Sequence, residues 1–371
     1  MRLWVECAGQ SLSPPGRKAQ EAWRTFPTEE TFHALLVGAC PQAGGAEDLA
    51  ARLDQLLRQG RTPEEAAEAI LPLLPEGAYV PFALLQVREG RRADLLECDA
   101  PPLFLVRRGH LVLLPVVEEE RGGRLLRRGS FRLAQGDRMA LVSEGFMRAR
   151  GWGRRWGWQE VALALKRLTD TGGGAEEVAG ALARTFLRLS GGRLEQEATV
   201  LAMYVRPMRT LTVWSGPPAD PARDREALDR LLAETGWRAI CGDTTAQIAA
   251  RLLGAELRVE ARPADGWMEV PPTSTLEGVD LVTEGLVTMR LARRRLQEAG
   301  RLLDLPRKED GATRLARLLW QADVIRFLVG QAVNPVQAAD AAGQVPLRRL
   351  VVEELAGELR KKGKVVSVEY I

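Results

Sequence analysis

The sequence predicts an α+β domain followed by an α/β domain, with the joint near Pro207. In the first half, short apolar runs recur at hairpin spacing with helical segments between them, which is typical of antiparallel sheets with helices packed outside. In the second half, apolar runs alternate one by one with helical segments, which indicates a mostly parallel, Rossmann-like sheet with helices on both faces. The predicted domains are residues 1–206 and 209–371.

Composition limits the classes of function. The chain has 371 residues, of which 46% are hydrophobic, so each half can bury an ordinary core. Lys and Arg number 52 against 49 Asp and Glu, and this near balance indicates no nucleic acid partner. The four cysteines form no CxxC pair, and no signal-like or membrane-spanning apolar run occurs. We therefore expect a reduced, cytoplasmic protein with no structural zinc and no membrane contact.

The elements of the first half follow from apolar periodicity. Strands are predicted at Arg2–Cys7, Phe32–Val37, Phe82–Val87, Ala93–Cys98, Leu103–Val106, Leu111–Val116, Phe131–Ala134, Met139–Val142 and Ala198–Val205. Helices are predicted at Glu47–Gln59, Pro63–Leu74, Trp158–Thr169 and Ala175–Ser190. The second helix has the best-marked start, because Thr62 stands at a capping position before Pro63 and two acidic residues.

The stretch GDRMALVSEGF, residues 136–146, places a carboxylate at the end of a buried strand. The apolar run Met139–Val142 ends in the sharp polar turn Ser143-Glu144-Gly145. Such a strand end suits a metal ligand and equally suits an ordinary turn residue.

Several motifs of residues 1–206 carry a family resemblance. They are ECDAPPLFLVRRGHLVLL, then GDRMALVSEGF, and finally EQEATVLAMYV. In this order they resemble the stage II sporulation protein E-type serine phosphatases, which are metal-dependent PPM protein phosphatases. The resemblance implies a sandwich of two antiparallel sheets flanked by helices. It also implies hydrolysis of phosphoserine in a phosphoprotein partner, with a pair of Mn or Mg ions held by aspartates.

Matching the family's metal turns to this chain gives Glu21-Ala22, Ala39-Cys40, Ser143-Glu144-Gly145 and Gln196-Glu197. Ala22, Ala39 and Gln196 occupy ligand positions without a carboxylate, and Glu144 is one methylene longer than Asp. The resemblance thus implies a degenerate metal site with Glu21, Glu144 and Glu197 as its remaining carboxylates. Three alternatives stay open: a working two-metal phosphatase with an atypical ligand set, a rearranged single-cation site, and an inactive scaffold on which the three glutamates are solvated.

Three tryptophans, Trp152, Trp156 and Trp158, lie in an Arg-rich and Gly-rich stretch. Aromatic and basic residues together suit nucleic acid binding. The Gly interruptions and the helix that starts at Trp158 favour a loop packed across a sheet edge. In the family this region is a flap near the active-site mouth, so a contact with a partner protein is a further interpretation.

In the second half, strands are predicted at Thr210–Trp214, Trp237–Cys241, Leu257–Ala261, Val279–Thr283, Val324–Val329 and Lys364–Glu369. Helices are predicted at Pro221–Thr235, Thr245–Leu253, Leu286–Leu303, Ala312–Gln321 and Leu347–Lys362, with capping oxygens from Asp220 and from Asp243 and Thr244. Small and hydroxyl residues follow four of the strands. Strand ends of this kind form ligand crevices and expose backbone N–H groups, so we expect a small anionic ligand there. The predicted ligand-binding residues are Gly216, Gly242, Asp243, Thr244, Thr245, Glu284 and Asn334.

The alternative for these turns is that Gly and Thr only end strands and cap helices, and neither GxGxxG nor a P-loop is present. The stretches CGDTTAQIAARLLG, VDLVTEGLVT and VGQAVNP resemble a domain appended to clostridial-type phosphatases of this class. We expect a phosphatase-like regulatory protein that couples recognition of a phosphoprotein or regulatory partner to ligand sensing. An active phosphatase that uses Mn or Mg remains the alternative, and unrelated catalysis by Asp243 and Glu284 is a weaker one.

Overall fold

The computed structural model describes residues 2–40, 44–148, 150–151, 154–170, 172–233, 235–260, 270–332 and 347–371. The chain folds as two compact units, Met1–Pro207 and Met208–Ile371. Each unit has its own hydrophobic clusters. Among the described residues, no helix has the length and apolar character needed to cross a bilayer.

The first unit contains strands β1 Leu3–Leu12, β2 Ala22–Pro27, β3 Thr31–Val37, β4 Phe82–Arg88, β5 Arg92–Cys98, β6 Phe104–Arg107, β7 His110–Val112, β8 Val117–Arg121, β9 Arg124–Arg132, β10 Arg138–Val142, β11 Arg150–Gly151, β12 Arg154–Arg155 and β13 Ala198–Pro207. Its helices are α1 Ala46–Arg58, α2 Pro63–Ile70, α3 Glu144–Met147, α4 Trp158–Asp170 and α5 Ala175–Leu189. A 3-10 turn, Leu71–Leu73, follows α2.

Two antiparallel sheets form the centre of this unit. One has the order β1-β13-β10-β6-β7 and the other β2-β3-β4-β5-β9-β8. Their facing side chains form one core, while α1 and α2 cover the outer face of one sheet and α4 and α5 cover the outer face of the other. The predicted sandwich of two antiparallel sheets flanked by helices is confirmed.

Strand β10 shows why the central strands are apolar throughout. Met139 and Leu141 point into the core between the sheets, whereas Ala140 and Val142 pack against the helices on the outer face. A strand buried on both faces reads as a continuous apolar run. The start of α2 is also as predicted, because Thr62 and Glu65 form a reciprocal capping box.

The second unit contains strands β14 Thr210–Ser215, β15 Trp237–Cys241, β16 Arg258–Val259, β17 Ser274–Leu276, β18 Val279–Thr283, β19 Val324–Val329 and β20 Val365–Tyr370. Its helices are α6 Asp224–Ala233, α7 Asp243–Leu253, α8 Leu286–Glu298, α9 Gly311–Gln321 and α10 Leu347–Lys361. Short 3-10 turns lie at Pro221–Arg223 and Leu302–Asp304. The sheet is mixed, in the order β16-β17-β18-β15-β14-β19-β20, with parallel pairing from β18 to β20 and antiparallel pairing of β16, β17 and β18.

Several predicted boundaries are wrong. The predicted strand Leu111–Val116 ends at Val112, and the predicted strand Phe131–Ala134 is only the end of β9. Strands β2, β8 and β17 were not expected. The predicted caps of α7 are also wrong, because Gly242 caps this helix without any side-chain hydrogen bond.

Candidate functional site

The turn after β10 is locked against the start of β13. The Ser143 backbone N–H donates to the Thr199 carbonyl at 2.9 Å, and the Thr199 N–H donates to the Ser143 hydroxyl at 3.0 Å. A Cβ on Gly145 would lie 1.8 Å from the Glu197 carbonyl oxygen, so only glycine fits there. This packing brings the turn Ser143-Glu144-Gly145, the SEG turn, beside Glu197.

Glu144 is bound by two side chains of the protein. The Tyr79 hydroxyl donates to its carboxylate at 2.8 Å, and Arg148, one helical turn later, forms an ion pair with it. Burial, followed by the hydrogen bond to Glu144, raises the pKa of Tyr79, so this phenol stays a donor. The Glu144 carboxylate is therefore turned to Tyr79 and Arg148.

Glu197 is 5% exposed and bound by the chain near Glu21. Its carboxylate accepts from the Ser13 hydroxyl at 3.0 Å and from the backbone N–H of Glu21 at 2.9 Å. The backbone N–H of Gln20 is a third donor. These three hydrogen-bond donors offset the cost of burying the charged carboxylate, as a bound cation otherwise would.

Glu21 has a different environment. Burial raises the pKa of its carboxyl to about 7, and the charge of Glu197 adds to this rise. The hydroxyls of Thr199 and Ser143 lie close enough to oppose it in part. One carboxyl oxygen of Glu21, Oε2, is buried without a hydrogen-bond partner among the described residues. Glu21 and Glu197 are therefore neighbours, whereas Glu144 is engaged elsewhere.

The remaining family ligand positions supply no carboxylate. Ala22 is buried and pairs with Val37 between β2 and β3, and Ala39 follows β3. Gln196 is exposed. Among the described residues, no group of three His, Cys, Asp or Glu side chains could hold a metal ion. This donor set does not fit a pair of hard cations, which require several oxygen ligands.

A cleft of about 570 Å³ opens beside the SEG turn. Arg148, Arg193 and Gln196 line it together with the aromatic rings of Trp156 and Phe186. Glu195 also lines the cleft, and Arg148 is paired with Glu144, so an apolar wall lies beside charges of both signs.

The described tryptophans of the Arg-rich stretch pack inside the protein. Trp156 is buried and lies edge-on to Phe146, and Trp158 stacks on Phe104 of β6. Trp152 lies outside the described residues. The rings of Trp156 and Trp158 thus pack between the outer helices and the sheet.

In the second unit, two glycine turns meet at the ends of β15 and β18. The Gly242 N–H donates to the Thr283 carbonyl, and the Asp243 N–H donates to the Glu284 carbonyl at 3.1 Å. A Cβ on Gly285 would lie 3.3 Å from the Gly242 Cα atom. The structure therefore brings the predicted residues Gly242, Asp243 and Glu284 together.

The hydroxyl and carboxylate groups of these turns differ in exposure. Thr244 is exposed, whereas Thr245 is 1% exposed and its hydroxyl has no hydrogen-bond partner among the described residues. Burial raises the pKa of both Asp243 and Glu284, and the charge of Asp243 adds to the rise at Glu284. The Glu284 carboxylate accepts from the Thr288 N–H and so occupies the start of α8. Two carboxylates at this edge oppose an anion.

Gly216 follows the last residue of β14, Ser215, which pairs with Cys241 at the end of the neighbouring strand β15. Its φ of +81° suits glycine, and a Cβ there would lie 2.3 Å from the guanidinium of Arg348. Arg348 was not predicted, although a pair of arginines in the first turn of a helix was a visible signal. Asn334 lies outside the described residues.

No protein-family model and no curated protein matches the chain. The phosphatase domain of SpoIIE from Bacillus subtilis is 15% identical, with 55% of this chain and 93% of that chain covered and a TM-score of 0.42. The RsbU and RsbW domains of Rv1364c from Mycobacterium tuberculosis are 16% identical, with coverage of 61% and 67% and a TM-score of 0.46. The catalytic domain of the serine/threonine phosphatase PstP, solved with two manganese ions, is 16% identical, with coverage of 55% and 100% and a TM-score of 0.39.

At these identities the likeness concerns the fold alone. The first unit has the two antiparallel sheets and outer helices that the sequence predicts. The manganese ions belong to PstP. In this chain, Tyr79, Arg148, Ser13 and Gln20 contact the carboxylates that the resemblance assigns to metal.

Proposed function

We propose that this protein is a phosphatase-like regulator that recognises a phosphoprotein or regulatory partner without two-metal hydrolysis. One observation carries the proposal: the chain itself satisfies the carboxylates of Glu197 and Glu144. A cation at Glu197 would have to displace three hydrogen-bond donors, and Ala22 and Ala39 supply no oxygen in return. The cytoplasm is the compartment that we assign to it.

The cleft beside the SEG turn is the partner-binding surface in this proposal. Arginine forks bind phosphate and carboxylate groups in a bidentate manner, and Arg193 has no carboxylate partner among the described contacts. Arg148 already pairs with Glu144, so a bound phosphate competes with that carboxylate. Partner binding then rearranges the contacts of the SEG turn.

The second unit is the ligand-sensing part of the proposal. Its five parallel strands have the order third, second, first, fourth and fifth along the chain, which is the order of Rossmann-like, doubly wound sheets. Ligands of such sheets bind outside the carboxyl ends of the strands. We assign it a small anionic ligand.

The test is Mn-dependent hydrolysis of an aryl phosphate by the full chain, beside the Glu144→Ala variant. We expect no release above background at millimolar Mn for either protein, with folding verified by circular dichroism. Release by the wild type that is lost in Glu144→Ala would establish the alternative, an active Mn- or Mg-dependent phosphoserine phosphatase with an atypical ligand set.

A further inference from the structure

The sheet of the second unit has a switch point between β14 and β19. The helices that follow β14 and β15 pack on one face, and the helices that follow β18 and β19 pack on the other. After β14 the chain turns to one face of the sheet, and after the neighbouring strand β19 it turns to the other face. A crevice opens at such a point, and doubly wound proteins bind ligands there.

Arg348 lies at this crevice. Its Nη1 donates to the Gly330 carbonyl at 2.9 Å and to the Ala332 carbonyl at 3.4 Å, and its guanidinium packs on Gly216. It therefore contacts the loops that follow both strands. Both hydrogen bonds that Arg348 makes with described residues come from Nη1, and no carboxylate of the described residues pairs with it. Burial lowers the pKa of this half-buried guanidinium, and no carboxylate of the described residues offsets that effect.

Two further observations indicate an anion. The last residue of β14, Ser215, is 1% exposed, and its hydroxyl has no hydrogen-bond partner among the described residues. The first turn of α10 contains no acidic residue and carries Arg348 and Arg349. A helix N-terminus is positive, so Arg348, which contacts the loops after β14 and β19, adds to that potential, whereas Arg349 lies over the Tyr370 ring.

We propose that this crevice binds the phosphoryl group of a small molecule, with Arg348 as its anion-binding residue and Ser215 as a hydroxyl partner. A guanidinium fork, a hydroxyl and helix N–H groups together offer more donors than a carboxylate can accept, and a phosphoryl group matches them. This inference rests on the ligand-sensing role proposed for the second unit. It places the ligand at the ends of β14 and β19, whereas the carboxylates of Asp243 and Glu284 follow β15 and β18.

The test is calorimetric titration of the full chain with inorganic phosphate. We expect saturable binding by the wild type, unchanged binding by Arg349→Gln, and binding at least about tenfold weaker in Arg348→Gln. Arg349 is the matched control because it belongs to the same turn and instead lies over the Tyr370 ring. If Arg348→Gln fails to fold, Arg348→Lys keeps the charge and loses the fork, and unchanged binding by that variant would contradict the assignment.

Other outcomes separate this inference from the proposed function. Phosphate binding that persists in Arg348→Gln but is lost in Thr245→Ala would place the ligand at the Gly242 turn and overturn the inference alone. Acetate binding tighter than phosphate would overturn the phosphoryl assignment. No saturable binding of either anion at millimolar concentration would overturn both the inference and the ligand-sensing role, and would leave the hydrolysis result untouched.

Discussion

At the scale of single residues, the hydrogen bonds of the Glu197 carboxylate indicate whether this residue is a metal ligand or a structural residue. It is buried, and donors from Ser13, Gln20 and Glu21 surround it. This carboxylate accepts hydrogen bonds that hold the surrounding chain in place. Each donor left without an acceptor would cost free energy. We therefore assign Glu197 a structural role in this chain.

Replacing Glu197 with Ala is expected to lower the free energy of unfolding by about 1–3 kcal/mol, because the Ser13 hydroxyl and the N–H groups of Gln20 and Glu21 lose their acceptor. Urea denaturation of the full chain measures this loss. Glu195→Ala is the control, since the Glu195 side chain is exposed, and we expect a change within about 0.5 kcal/mol. Equal stability of both variants would show that Glu197 is free to serve another role.

Glu21 predicts a pH dependence of stability. Burial raises the pKa of its carboxyl from 4.5 to about 7, so the folded state holds the proton more tightly than the unfolded state. The contribution of Glu21 to stability is thus greatest below pH 4.5 and is lost as the pH rises to 7. Relative to wild type, Glu21→Gln should gain up to about 3 kcal/mol between pH 4.5 and pH 8.

Urea denaturation of both proteins across this pH range checks the prediction. Burial also raises the pKa of Glu97 to about 7, but Glu97 is present in both proteins and cancels in the difference. Parallel pH profiles would contradict the assignment of the raised pKa to Glu21.

Part of the site could be predicted from the sequence. Glu144 stands at the end of a buried strand, and a continuous apolar run is enough to place it there. Its partner Tyr79 lies 65 residues earlier in the chain, and Ser13 lies 184 residues before Glu197. Such contacts depend on how two sheets pack, and local periodicity carries no information about that packing.

At the scale of elements, the central strands with continuous apolar runs were predicted well, and so were the edge strands β1 and β20, whereas β2, β8, β17 and most of β9 were missed. Strand β8, Val117–Arg121, is exposed along its whole length and carries three glutamates, and β2 lies at the opposite edge of the same sheet. Charged edge strands block pairing with other chains and lack the apolar signal. Central strands such as β10 keep that signal because both of their faces are buried.

The packing of α3 against β13 is expected to depend on Gly145. A Cβ in Gly145→Ala would collide with the Glu197 carbonyl oxygen, and we expect a loss of about 1–3 kcal/mol or more in the free energy of unfolding. Gly157→Ala is the matched control, because the nearest atom to its Cβ is a flexible Glu160 carboxylate oxygen at 3.5 Å. Thermal unfolding of both variants measures the difference, and equal midpoints would contradict the close contact.

At the scale of the whole molecule, the chain joins a sandwich of two antiparallel sheets to a unit with a mixed sheet. In the account proposed here, hydrogen bonds and an ion pair within the first unit occupy the carboxylates of Glu144 and Glu197. The proposed ligand of the second unit binds at Arg348, which has no carboxylate partner among the described residues. Recognition and sensing are then separate properties that separate assays can measure.

The most direct test is calorimetric titration of the full chain with Mn²⁺, beside Glu144→Ala. The central claim is that hydrogen bonds and an ion pair within the protein occupy the carboxylates of Glu144 and Glu197. We therefore expect no stoichiometric binding at micromolar Mn²⁺, and identical weak heats for both proteins. Binding of two Mn²⁺ ions per chain that is lost in Glu144→Ala would contradict the claim.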